Sequence, residues 1–243
     1  MRVLVVGARK GNIGHAVAEK LRHEGHEVIA ADLYSNEDAM GLYADDEDEV
    51  IGFFDWLETK GDLDAVVNCA GLNLLGALPD YELENFKETL NANLITNFLL
   101  LREYVRRYDG SGTRKVFLAI TSDTAEIAKS HSFAYGASKA GANHFIRCAA
   151  RELNQYSFDA DKWVVTAIAP GRVYTRMDSL TIEDLSRERG ISHKQANEML
   201  NRNIPVKRGM TPEELANWVH FVLEKGDYAT GCILRLDAGQ QQG

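Results

Sequence analysis

Three glycines, Gly7, Gly11 and Gly14, stand between the apolar run Val3-Leu4-Val5-Val6 and a segment where Ile13, Val17 and Leu21 recur at helical spacing. A short apolar run rich in valine suits a buried strand, and a repeat near 3.6 residues suits a helix, so the glycines mark a strand-to-helix turn. Glycine permits positive φ and close approach of another group, and the first N–H groups of a helix are unpaired and face outward with positive potential. The stretch therefore predicts a buried strand feeding a helix whose N-terminus takes an anion; a turn that only packs helix on strand is the alternative.

The same rhythm continues. Apolar runs at 28–31, 65–67, 116–120, 164–168 and 233–236 read as further buried strands. Between them, Phe86, Leu90, Leu94, Phe98, Leu101 and Val105 keep helical spacing, a third helix covers 137–155, and a fourth starts at Thr211-Pro212, a cap followed by proline at the first helical position. Alternating strands and helices predict an α/β fold with a Rossmann-type doubly wound parallel sheet, flanked by helices on both faces, as a single domain over 1–243. One segment, 177–204, is polar and breaks the rhythm; it reads as a lid over a substrate site, or as a peripheral helix pair.

Composition narrows the partners. A net charge of -9 over 243 residues disfavours a general nucleic-acid or acidic-membrane surface, and no apolar run approaches the roughly 18 to 20 residues of a membrane span. A soluble, cytoplasmic protein with a small-molecule ligand is expected. Cys69, Cys148 and Cys232 are far apart and lack partners at metal-ligand spacing, so neither a disulfide framework nor a zinc site is read from them, and no metal is expected. The acidic run 45–49 reads as a solvated helix N-terminus.

Two further constellations carry chemistry. Asp32 follows the second strand, 18 residues beyond Gly14, where a carboxylate can accept bonds from ribose hydroxyls and repel a 2'-phosphate. Tyr135 and Lys139 are four apart and share a helix face, so the ammonium is expected to draw the phenol's pKa down from its usual value of about 10. Ser122 stands just past the strand at 116–120, at the carboxyl edge where ligands of open α/β sheets bind, and its hydroxyl can polarise a carbonyl.

Beside the glycine loop, "NCAG" at 68–71, Asn93 in "LNANL", Ser122, "YGASK" at 135–139, "APGRVYT" at 169–175, "GMTPEELANWVHFVL" and "TGCILRLDAG" together resemble the short-chain dehydrogenase/reductase family, in its single-domain branch, nearly end to end. The resemblance implies a catalytic set of Asn93, Ser122, Tyr135 and Lys139. In it Tyr135 is the general acid in reduction and base in oxidation, Ser122 polarises the reacting oxygen, and Lys139 lowers the tyrosine pKa and binds the nicotinamide ribose. Asn93 holds a helix distortion and a water for proton relay. The implied cofactor contacts are Gly7, Arg9, Lys10, Gly11, Asn12, Ile13, Gly14, Asp32, Asp45, Asn68, Ala70, Gly71, Tyr135, Lys139, Pro170, Gly171, Val173 and Thr175. Without the resemblance, Asn93, Asn68, Gly71, Pro170 and Gly171 have plain structural readings as satisfied amide and turn residues.

Departures from the family pattern bear on the cofactor. Val6 replaces the usual threonine, the glycine loop is one residue longer, and 32–68 is short, which predicts a trimmed helix and a degenerate third strand near 42–44. Lys10 stands where a basic residue often goes with NADP, whereas Asp32 argues for NAD, the expected cofactor, with NADP the alternative.

The resulting expectation is an NAD(H)-dependent oxidoreductase that interconverts a secondary alcohol and a ketone. An NADP(H)-dependent carbonyl reductase or a non-catalytic NAD-binding, redox-sensing protein are the alternatives. Relatives that reduce double bonds usually space Tyr and Lys more widely. Asp123, Thr124, His131 and 177–203 hint at a polar substrate, and the helices over 86–105 and 137–155 resemble those of a family dimer contact, implying a homo-oligomer, tetramer or dimer.

Overall fold

The computed structural model describes residues 1–35 and 37–240. Its strands are β1 (Arg2–Val6), β2 (Glu27–Asp32), β3 (Met40–Gly41), β4 (Ala65–Asn68), β5 (Lys115–Ile120), β6 (Trp163–Pro170) and β7 (Ile233–Leu236). Its helices are α1 (Ile13–His23), α2 (Glu47–Glu58), α3 (Leu83–Leu90), α4 (Thr96–Tyr108), α5 (Phe133–Tyr156), α6 (Arg176–Arg189), α7 (His193–Asn201) and α8 (Pro212–Lys225). The strands form a sheet in the order β3-β2-β1-β4-β5-β6-β7, and every ladder is parallel.

The valine-rich runs have no polar face because the sheet is covered on both sides. In β1, Leu4 and Val6 join a core with Phe54 and Leu57 of α2, Leu100 and Tyr104 of α4, and Ile146 of α5. Val3 and Val5 point the other way, toward Val17 and Leu21 of α1 and Leu215, Val219 and Leu223 of α8. Each such side chain contributes about 1.5–3 kcal/mol on burial. The sheet grows from β1 first toward β3 and then, through β4, in the opposite direction. Its switch point therefore lies between β1 and β4, where the two βα loops part and leave a crevice.

Several boundaries differ from the sequence reading. The third strand is Met40–Gly41, not 42–44: Leu42 N–H makes a last bond to the Asp32 carbonyl at 2.8 Å, and Leu42 and Ala44 are buried in the core. The helix expected to run unbroken through 86–105 carries a π-helical segment, Asn91–Ile95, between α3 and α4. There the N–H and hydroxyl of Thr96 both reach the Asn91 carbonyl, five residues back. Helix α5 starts at Phe133 rather than 137, which places Tyr135 in its first turn.

Other features follow the sequence. Asp46 caps α2 by accepting the Glu49 N–H at 3.0 Å, with Glu47, Asp48 and Glu49 in the first turn, so the acidic run serves that helix end. Thr211 and Glu214 form a capping box at α8. The segment at 177–204 is the α6–α7 pair, joined through Gly190 in the left-handed region and a second capping box at Ser192. Among the described residues, no helix is long and apolar enough to cross a membrane.

Candidate active site

The glycine loop leaves β1 at the switch point, and its glycines serve different ends. A Cβ at Gly7 would lie 2.6 Å from the Ala70 nitrogen, and one at Gly14 would lie 2.3 Å from the Gly7 carbonyl oxygen. Both positions exclude side chains by contact. Gly11 faces open space but has φ +87°, so it is required by backbone conformation alone. The longer loop is closed by an Asn12 N–H bond to the Arg9 carbonyl at 3.0 Å, with Arg9 and Lys10 exposed at its tip.

Beyond that turn, α1 starts with no side-chain cap at Asn12 and no acid in its first turn. Helices α2, α6, α7 and α8 are all capped by side chains. The first N–H groups of α1 have no side-chain partner at the cap, and an uncapped helix start after a glycine turn fits the pyrophosphate of a dinucleotide.

Asp32 closes the cradle on the β2 side. It is 9% exposed, and its two oxygens accept the Arg9 N–H at 2.8 Å and the Leu33 N–H at 2.9 Å. The carboxylate is thereby fixed in orientation beside the loop. Asp45 is exposed on the turn before α2, one residue short of the cap, and makes no part of the loop's bonding.

The second half of the site gathers at the carboxyl ends of β4 and β5. Lys139 is 3% exposed; its Nζ donates to the Ile120 carbonyl at 2.9 Å and lies 5.5 Å from the centre of the Tyr135 ring. Burial pushes the Lys139 ammonium down to about 8. Burial also pushes the Tyr135 phenol up to about 12, against a smaller lowering from the Ser122 hydroxyl, and Asp123 raises it further. The expected depression of the tyrosine pKa by Lys139 is therefore not found. The ammonium sits over the ring rather than at the hydroxyl, and desolvation outweighs what it offers.

Ser122 caps the turn after β5: its Oγ accepts the Thr124 N–H at 3.2 Å and the Thr124 hydroxyl at 2.8 Å. Asp123 beside it is buried and paired with Lys129 at 2.9 Å. Asn93 is fully buried inside the π segment. Its Nδ2 donates to the Leu72 carbonyl at 2.7 Å and its Oδ1 accepts the Leu72 N–H at 3.0 Å. One asparagine thus clamps the loop leaving β4. A Cβ at Gly71 would lie 2.9 Å from Asn93 Oδ1 and 3.2 Å from Lys139 Nζ, so Asn93, Gly71 and Lys139 meet at one point.

Asn68 ends β4, accepts the Ala70 N–H at 3.1 Å and donates to Asn97 Oδ1 at 2.9 Å; Asn97 in turn donates to the Asn93 carbonyl at 2.8 Å. Asn97 escaped the sequence reading, although its place four residues after Asn93 puts both on one helix face. The Ile120 carbonyl, which holds Lys139, carries no side-chain signal and could not be read. Pro170 ends β6, Gly171 lies 3.1 Å from Asp237 Cα through its would-be Cβ, and Val173 bridges to Met210. Thr175 caps α6 through its hydroxyl. These four line the same edge of the sheet, further along it. His131 and Glu188 of α6 pair at 3.4 Å, joining the start of α5 to the α6–α7 pair.

A doubly wound sheet with a glycine cradle at its switch point and a buried lysine under a tyrosine defines a dinucleotide-dependent oxidoreductase. A family model described as Enoyl-(Acyl carrier protein) reductase matches residues 7–241, and the chain belongs to the short-chain dehydrogenase/reductase family, whose members act on CH–OH and C=O groups. It is 29% identical, over 99% of its length and 93% of the relative, to the 3-oxoacyl-[acyl-carrier-protein] reductase MabA of Mycobacterium bovis. It is 26% identical to a glucose 1-dehydrogenase of Gluconobacter oxydans, over 98% of this chain and 91% of that one. The structure superposes on the sorbitol-6-phosphate 2-dehydrogenase SrlD of Erwinia amylovora with TM-score 0.89, covering 99% of both chains at 22% identity, a likeness of fold.

Proposed function

We propose that this protein is an NAD(H)-dependent oxidoreductase that interconverts a secondary alcohol and a ketone, with Tyr135 as the general acid and base. The observation that carries the reading is the meeting of Lys139, Tyr135, Ser122 and Asn93 at the carboxyl edge of β4 and β5, beside the uncapped start of α1.

A bound nicotinamide would supply the hydride for reduction of the ketone and would accept it in oxidation of the alcohol. The Ser122 hydroxyl donates to the substrate oxygen and fixes it near the phenol. In reduction Tyr135 gives that oxygen its proton; in oxidation it takes the proton away. A phenol at about 12 is a weak acid that holds its proton at neutral pH, so the positive charge of Lys139 beside the ring is proposed to favour the phenolate needed as base in oxidation. Asn93 holds the Leu72 backbone, and with it the wall of the cleft.

Asp32 supports NAD, because a 2'-phosphate would bring like charge to a fixed, buried carboxylate. A specific observation favours a second reading, NADP: Arg9 and Lys10 are exposed at the tip of the same loop and could meet that phosphate. The four-residue step from Tyr135 to Lys139 supports carbonyl over double-bond chemistry. Relatives as different as a ketoacyl reductase and a glucose dehydrogenase leave the substrate as a hydroxyl-bearing or keto compound, and Lys129 and His131, beside the buried Asp123, support a polar one. The α6–α7 pair is proposed as its cover.

The test is turnover of a panel of secondary alcohols and ketones with NAD(H) and NADP(H), followed by nicotinamide absorbance. Activity should appear with NAD(H), and Tyr135→Phe should lower kcat at least about 100-fold while cofactor Kd stays within twofold. Cofactor binding without turnover of any panel member would refute the reading.

A further inference from the structure

Two imidazoles and a carboxylate meet at the edge of the sheet opposite the catalytic cleft. His26 stands in the turn between α1 and the start of β2, while His220 and Glu224, four apart, share one face of α8 near its end. One donor atom from each of the three lies within 4.8 Å of the others, with His26 Nε2 3.6 Å from Glu224 Oε1. The His26 side chain is 8% exposed, and its Nε2 has no hydrogen-bond partner among the described residues. A buried ring nitrogen left unmatched and aimed at a second histidine and an acid calls for a ligand.

We propose that His26, His220 and Glu224 form a binding site for one divalent transition-metal ion, Zn2+ by the chemistry of the donors. Imidazole and carboxylate are zinc ligands, and tetrahedral bonds of about 2.0–2.1 Å place donor atoms about 3.3 Å apart. The His26–Glu224 pair already stands near that separation, and His220 needs a side-chain adjustment of up to about 1.5 Å. Two histidines and one carboxylate leave a fourth position for water.

The surroundings keep His26 ready for this. Burial first, then the α-amino group of Met1, hold the imidazole below its usual pKa, with His220 acting in the same direction and Glu224 and Glu24 opposing. The neutral ring is the form that ligates a metal. Its Nδ1 lies 3.3 Å from the Met1 nitrogen, which leaves Nε2 as the ligating atom. An ion here would tie the chain's first strands to α8, far from Tyr135, and the site serves the fold rather than the reaction.

The experiment uses the tag-free full chain, stripped with chelator and titrated with Zn2+ by calorimetry, with thermal melts run with and without zinc. Expected are one equivalent bound and a Tm that rises with zinc. His220→Gln and Glu224→Gln should each weaken Kd by more than about tenfold, the loss that even an outer partner's removal brings, and abolish the Tm rise. Cys148→Ser is the control, since Cys148 Sγ lies 3.5 Å from His144 Nε2 on α5 and offers a rival pair. Zinc binding lost in Cys148→Ser and kept in His220→Gln would overturn the proposal, as would the absence of stoichiometric binding at micromolar zinc. Glu224 is exposed, so its variant keeps the test decisive if His220→Gln is unstable.

Discussion

The Asp32 carboxylate accepts the backbone N–H of Arg9 at 2.8 Å, so the acid that ends β2 is bonded directly to the loop that leaves β1. One group therefore shapes the loop and stands where the proposed cofactor's ribose would lie. Asp32→Asn keeps an acceptor for the Arg9 N–H and removes the charge. Like charges about 4 Å apart near a surface are worth roughly 1–4 kcal/mol, so the ratio of kcat/KM for NADP to that for NAD should rise about tenfold or more. An unchanged ratio would show that the loop, through Arg9 and Lys10, and not Asp32, sets the preference.

Gly14 is excluded from bearing a side chain by the Gly7 carbonyl, 2.3 Å from its would-be Cβ. Because the obstacle is backbone, Gly14→Ala must push α1 away from β1. The expected result is a stability loss of about 1–3 kcal/mol, typical of overpacking, together with loss of dinucleotide binding measured by calorimetry. Gly11→Ala meets no atom and carries only the cost of positive φ, about 1–2 kcal/mol, so binding should survive it better. Equal effects from the two variants would contradict this division of roles.

These two glycines also show what the sequence could and could not tell. The spacing of Gly7, Gly11 and Gly14 after a valine run was enough to read strand, turn and helix, since those are local properties of the chain. That Gly7 faces Ala70 across the switch point depends on β1 pairing with β4, a long-range fact invisible to local pattern. The helical spacing through 86–105 hid the π segment at Asn93, because one widened turn leaves the apolar period nearly intact. Helix α5 starts four residues before the predicted 137: Ser132 stands at the cap, but its side chain makes no cap bond. The tyrosine's raised pKa could not be read at all: it comes from desolvation by the finished cleft.

Lys139 gives a pH dependence of stability. Its folded pKa, about 8, lies below the 10.5 of a free lysine, so between these values the unfolded chain holds more protons and stability rises with pH. Lys139→Met keeps the stem and removes the charge. The stability of the wild type relative to this variant should therefore climb from pH 8 to about 10, as measured by denaturant unfolding. Below pH 8 the variant should be more stable by ~1 kcal/mol, the relieved desolvation being partly offset by the Ile120 carbonyl left without its donor. A constant difference across that range would refute the shifted pKa.

Among the described residues, the outer faces of α4 and α5 carry exposed apolar surface. Phe98 is 42% exposed, edge-on to Phe145 of α5 and capped by Arg102 at 5.2 Å. A homo-oligomer that pairs these helices would bury the patch. Light scattering should give a mass of two or four times 27.1 kDa, and Phe98→Asp should lower it. A mass of one chain for the wild type would exclude the pairing.

Arg172 binds the α6–α7 pair to the sheet edge. Its guanidinium makes two bonds to Asp178 of α6, at 2.6 and 2.9 Å, and a third to Asn201 Oδ1 of α7 at 2.8 Å. Both members of the ion pair are mostly buried, with side chains 9% and 11% exposed. Removing one partner leaves the other as a buried unpaired charge, a loss of about 3–5 kcal/mol, and that loss falls on the two helices rather than on the core, which Arg172 does not enter. Arg172→Met should thus speed amide exchange across 177–204 and leave the amides of β1, β4 and β5 at wild-type rates. If the pair also covers the substrate, KM for substrate should rise while cofactor Kd stays constant, because the cradle at α1 is untouched. Faster exchange with unchanged KM would make it a peripheral pair and remove its role as a lid.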